Sequence, residues 1–165
     1  MKRFVVLNAH ESMSQGLLVR LLGLGHEVVA VCENPEGDRD LWQMELDYPD
    51  RCQILTETDP YSSKAFDVLV LPWRRLPEDE KVDDFLLKTL NHYRDHFSGQ
   101  SRPSFYVIGP QELAASLASL RKKIPDIQLF FLLSGAKEVL VNPFEGHALP
   151  WDQAVSLCEV LTRDA

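Results

Sequence analysis

Two spacings of apolar residues alternate along the chain. Phe4-Val5-Val6-Leu7, His26 through Cys32, Val68 through Leu71, Phe105 through Ile108 and Ile127 through Leu133 are short runs dominated by β-branched, aliphatic and aromatic residues. Runs of this kind predict strands covered on both faces, as in a parallel sheet. Between them the period changes. Within Ser14–Leu24, Leu17, Leu18, Leu21 and Leu22 recur at helical spacing, and Gly23 and Gly25 mark the stop. Asp38 is placed to cap a helix reaching about Tyr48, with Leu41, Met44 and Leu46 as core contacts and Pro49 as its end. Cys52–Leu55 predicts a short strand. A long helix is predicted from about Glu78 to Phe97, where Pro77 and a run of acids suit a helix start, and another from Pro110 to Lys123. After the break at Ser134-Gly135, Glu138–Val141 predicts a short edge strand, Asn142-Pro143 a turn and Asp152–Leu161 a last helix.

Strands that alternate with helices predict a parallel sheet with helices on both faces. The expected architecture is one α/β domain over residues 1–165. It is a three-layer α/β/α sandwich around a doubly wound, mostly parallel sheet of five or six strands, joined by right-handed crossovers.

Composition narrows the partners. The 165 residues are 45% hydrophobic and 25% charged, as in an ordinary globular domain. A net charge of −8 opposes a phosphate backbone, and the basic residues cluster only at Arg74-Arg75 and Arg121-Lys122-Lys123, so nucleic acid is not expected. After Met1-Lys2-Arg3 the apolar run ends at Leu7, too short for a signal peptide or a membrane span, which predicts a cytoplasmic protein with no membrane partner. Cys32, Cys52 and Cys158 are odd in number and far apart, and read as core thiols in a reducing compartment, with no metal site.

Ligands of open α/β sheets bind beyond the carboxyl ends of the strands, so the loops after the strands carry the candidate chemistry. The first holds Asn8, His10, Glu11, Ser12, Ser14 and Gln15. One reading makes it a polar pocket with His10, Ser12 and Ser14 as donors; the other has Ser12 or Ser14 capping the helix while His10 is solvated. Glu33 follows the second strand. Pro72 to Pro77 combines Trp73 with Arg74 and Arg75, residue types enriched in binding hot spots, or else Trp73 packs on the sheet while the arginines balance Glu78, Asp79 and Glu80. His92 and His96 share a helix face at a spacing that can chelate a metal, but fall among Arg94 and Asp95, as solvated residues do. No nucleophile elbow or phosphate loop is present, and Tyr61 and Lys64 stand one residue too close for a catalytic Tyr-x-x-x-Lys pair.

From Val6 to Val31 the chain resembles the opening of the NAD(P)-binding, NmrA-like and extended short-chain dehydrogenase families, and the similarity continues to about residue 72. That resemblance implies a Rossmann domain with a dinucleotide cofactor and Glu33 near the adenosine ribose. The family's three glycines fall on Asn8, Glu11 and Ser14. Glu11-Ser12-Met13-Ser14-Gln15 through Val28, with Asp67–Pro77, is similar to the formyltransferase-like domain of HypX-type hydrogenase maturation proteins. Gly135 to Phe144 resembles the closing strand and loop of response-regulator receivers, whose lysine would be Asn142, whose acidic pair would be Asn8 and Ala9, and whose phosphoacceptor would be Pro72. Each comparison puts an unsuited side chain where a chemical or phosphate-binding group belongs. The expectation is therefore a non-catalytic module with no cofactor, binding a protein partner, a second copy of itself or a non-dinucleotide ligand. The alternatives are an NAD(P)- or acyl/formyl-binding enzyme or sensor, and a pseudo-receiver.

Overall fold

The structure is a computed structural model that describes residues 1–99, 103–133, 138–141 and 147–150. The elements run β1 (Arg3–Val6), α1 (Ser12–Gly23), β2 (Glu27–Cys32), α2 (Arg39–Asp47), β3 (Cys52–Thr56), β4 (Val68–Pro72), α3 (Val82–Tyr93), β5 (Ser104–Gly109), α4 (Ala114–Lys123), β6 (Gln128–Leu133), β7 (Glu138–Val141) and β8 (His147–Pro150). The first six strands form one parallel sheet in the order β3-β2-β1-β4-β5-β6. This is the doubly wound dinucleotide-fold order, and it excludes the receiver order 2-1-3-4-5. The pseudo-receiver reading is corrected on that ground. β7 and β8 make a separate antiparallel pair.

Side chains that alternate along the buried strands feed two cores. Phe4, Val6, Val28, Ala30, Val68 and Val70 face Leu17, Leu18 and Leu21 of α1 and Leu41 of α2. Val5, Leu7, Val29, Leu69, Leu71 and Val107 face Leu86 and Leu90 of α3 and Leu117 and Leu120 of α4. β1 is thus buried on both sides, which is why its sequence shows no polar alternation. The expected thiols Cys32 and Cys52 lie in the first core, where burial raises both; Cys52, also beside Glu45, is pushed up to about 11. Neither is a thiolate nucleophile at neutral pH.

Several expected boundaries move. Asp38 caps α2 as predicted, its carboxylate accepting from the amides of Asp40 and Leu41 at 3.0 and 3.2 Å. Leu46, expected in the core, is exposed. α1 begins at Ser12 after Glu11, and no side chain caps it. α3 is shorter than predicted: the Glu80 amide closes a turn on the Pro77 carbonyl, and Arg94–His96 tightens into a single 3-10 turn. The expected strand at Glu138–Val141 is present as β7; the predicted break at Ser134-Gly135, the turn at Asn142-Pro143, the helix Asp152–Leu161 and Cys158 lie outside the described residues.

Gly109 ends β5 where two packed side chains converge. A Cβ there would stand 2.5 Å from Leu113 Cδ1 and 2.8 Å from Trp73 Cβ. Gly109→Ala is expected to cost about 1–3 kcal/mol through overpacking. Urea unfolding of the variant against the parent measures it.

Candidate functional site

β1 and β4 are adjacent, yet their crossovers leave to opposite faces, so a crevice opens above their carboxyl ends. Asn8 sits at its base. Its φ of 51° is left-handed, a conformation a short polar side chain tolerates, and its Nδ2 donates to the Pro72 carbonyl at 2.6 Å. Around it the main chain is tied down: the Leu7 amide donates to Val70 O, the Ala9 amide to Val31 O and the Glu11 amide to Asn8 O. The turn therefore has the geometry for which a glycine would otherwise be needed.

Ser14 occupies the next critical place. It is fully buried in the first turn of α1, with its Oγ 3.5 Å from the Leu7 carbonyl, so a small side chain permits the close approach of helix to strand. The capping role weighed for Ser14 is thereby replaced by packing. Ser12 is the first residue of α1. Gln15 donates to the Asp38 carboxylate at 2.8 Å and joins the start of α1 to the cap of α2. His10 and Glu11 are exposed neighbours with Nε2 and Oε1 3.3 Å apart. Of Asn8, Glu11 and Ser14, Glu11 is thus the one whose side chain is exposed.

The remaining candidates divide. Arg74 spans the crevice edge, 3.4 Å from Glu33 and 3.3 Å from Glu57, which lie beyond β2 and β3. Trp73 is half-buried against the second core with its ring edge-on to Phe85 at 5.6 Å. Arg75 is exposed. His92 and His96 do not form a chelate: His96 leaves the helix and tilts over Tyr61 at 4.8 Å, while His92 points into a cleft of about 640 Å³ beside α3. Among the described residues, no group of three or more His, Cys, Asp or Glu is placed to hold a metal. Tyr61 is buried, donates its hydroxyl to the Lys64 carbonyl at 2.6 Å and has its phenol raised by burial, so it is a structural residue of the β3–β4 crossover.

Sequence reasoning missed the cleft itself. Its wall combines Glu57, Glu80, Lys88 and His92 with the apolar surfaces of Leu71 and Phe85. Lys88 and His92 were legible as an i, i+4 pair; their meeting with residues after β1, β3 and β4 depends on the strand order.

The crevice, the left-handed turn and the six-strand order define a Rossmann-like dinucleotide fold. Searches by sequence match no protein-family model and no curated protein. Solved structures do match. A carbonyl reductase from Pseudomonas aeruginosa PAO1 superposes with a TM-score of 0.66 at 15% identity, covering 99% of this chain and 90% of that one. The same organism's carbonyl reductase in complex with NADP gives 0.59 at 17% identity, over 82% and 83%. A protein described as a short-chain dehydrogenase/reductase from Burkholderia multivorans, with NADP bound, gives 0.57 at 15%, over 81% and 78%. At these identities the likeness establishes the fold.

The expectation of a non-catalytic module without a cofactor is corrected by these neighbours, which are reductases and include NADP complexes. The alternative expectation, an NAD(P)- or acyl/formyl-binding enzyme or sensor, is taken up below. Residue type alone does not decide the loop: Asn8 turns its side chain to the Pro72 carbonyl and Ser14 is small enough to be buried. Among the described residues, no helix is long and apolar enough to cross a membrane.

Asn8 should reveal this in stability. Asn8→Gly is expected to lose about 1 kcal/mol with the hydrogen bond to Pro72, and Asn8→Val about 2–3 kcal/mol, because a β-branched residue also resists the left-handed turn. Chemical denaturation of the two variants gives the ordering.

Proposed function

We propose that the chain is the nicotinamide-dinucleotide-binding domain of a carbonyl-reducing oxidoreductase. The observation that carries this reading is the left-handed Asn8 turn leading into an uncapped α1 at the strand switch point. The N-cap residue Glu11 makes no side-chain hydrogen bond to the first turn of α1, which leaves the helix dipole and its N-terminal N–H groups to a diphosphate. Asn8 supplies the turn, and Ser14 the close packing, that a bound dinucleotide requires of this loop.

Other residues take positions by the same logic. Glu33, beyond β2, faces where the adenosine ribose hydroxyls would lie, with Arg74 beside it. The cleft along α3 would take the far end of the cofactor and the second reactant. The cofactor, when bound, supplies the hydride; the protein orients the reactants and screens them from water. Among the residues lining the cleft, His92 is the imidazole and thus a proton carrier. Glu11 fits least well, since its charge opposes a diphosphate; the His10 imidazole offsets that charge when protonated.

Titration of NADH and NADPH, followed by nicotinamide fluorescence, tests the reading. Saturable binding is expected, and Glu11→Gly should tighten it about tenfold by removing a like charge from the diphosphate path. No binding by parent or variant would refute the assignment. Glu33→Ala frees one side of Arg74 and is expected to raise the NADPH-to-NADH affinity ratio about tenfold, since a guanidinium pairs well with a 2′-phosphate. An unchanged ratio would remove Glu33 and Arg74 from the cofactor site.

A further inference from the structure

The cleft beside α3 is lined by apolar side chains and by the exposed Lys88. Leu7, Val31, Leu71 and Phe85 form apolar lining, and the volume of about 640 Å³ suits a small organic ligand. Three polar side chains of this lining are committed. Arg74 is held by Glu33 and Glu57, and the Asn8 amide by the Pro72 carbonyl. Lys88 differs: among the described residues it makes no ion pair. His92 lies one helical turn further along the same ridge. The remaining acid of the lining, Glu80, precedes the helix, well over a turn from Lys88.

We propose that this cleft binds a small apolar molecule bearing a carboxylate, with the Lys88 ammonium as its anchor and His92 beside it. The carboxylate pairs with a cation that makes no ion pair among the described residues, and the hydrocarbon body packs against the part-exposed ring of Phe85. For a carbonyl-reducing domain this names the substrate class as oxo acids. That role as second reactant rests on the dinucleotide reading above, whereas the binding chemistry does not.

Calorimetric titration of the full chain with 4-methyl-2-oxopentanoate, its methyl ester and inorganic phosphate, with and without NADH, tests the inference. The acid is expected to bind saturably, about tenfold more weakly in Lys88→Ala, with recovery in Lys88→Arg. The ester should bind weakly and be indifferent to Lys88→Ala, and phosphate, lacking the apolar body, should bind more weakly than the acid. Equal binding of acid and ester, equal binding of acid and phosphate, or an unchanged Lys88→Ala would overturn it. NADH binding without acid binding overturns this inference alone; acid binding without NADH binding overturns the dinucleotide reading and leaves the carboxylate site standing; binding of neither overturns both.

Discussion

The hydrogen bond from the Asn8 side chain to the Pro72 carbonyl fastens β1 to β4 at the point where the chain departs to opposite faces. Everything functional hangs from that junction. It holds Asn8 in the left-handed turn, the turn aims α1, and the divergence of α1 from the β4–α3 connection leaves the crevice between them. A side-chain amide thus does by hydrogen bonding what a glycine does by lacking a Cβ. The difference matters for ligand access, since a glycine leaves the space above the turn empty while Asn8 fills the space below it.

Charge distribution around the crevice follows a similar division. Arg74 draws together carboxylates that follow two different strands, so the rim over β2 and β3 keeps one negative charge in excess of its guanidinium. On the α3 wall Lys88 makes no ion pair among the described residues. The two rims of the crevice therefore differ in electrostatics although both lie at the carboxyl ends of one sheet.

The strands were readable because burial on both faces leaves an unbroken apolar signature, as in Phe4–Leu7 and Val68–Leu71. β8 was not, since His147-Ala148-Leu149-Pro150 has neither β-branched residues nor alternation to mark it. The acids before α3 imitated a helix start, whereas a turn on Pro77 delays the helix to Val82. At the site, the location of the loops could be derived from strand alternation. The conformation of Asn8 could not, because its partner lies 64 residues away. Trp73 was likewise undecidable locally: its setting is fixed by Phe85 and by the bare Cα of Gly109.

One connection is built differently from the rest. Between β3 and β4 the chain crosses without a helix, and the aromatic plug of Tyr61 against Phe66, Tyr93 and His96 substitutes for one. β3 is also a margin of the sheet, with only Cys52 fully buried along its length. That corner is thinly sheathed. Under mechanical load or mild denaturant its amides would be the first to trade deuterium with solvent, unzipping inward toward β1 before the helical layers part.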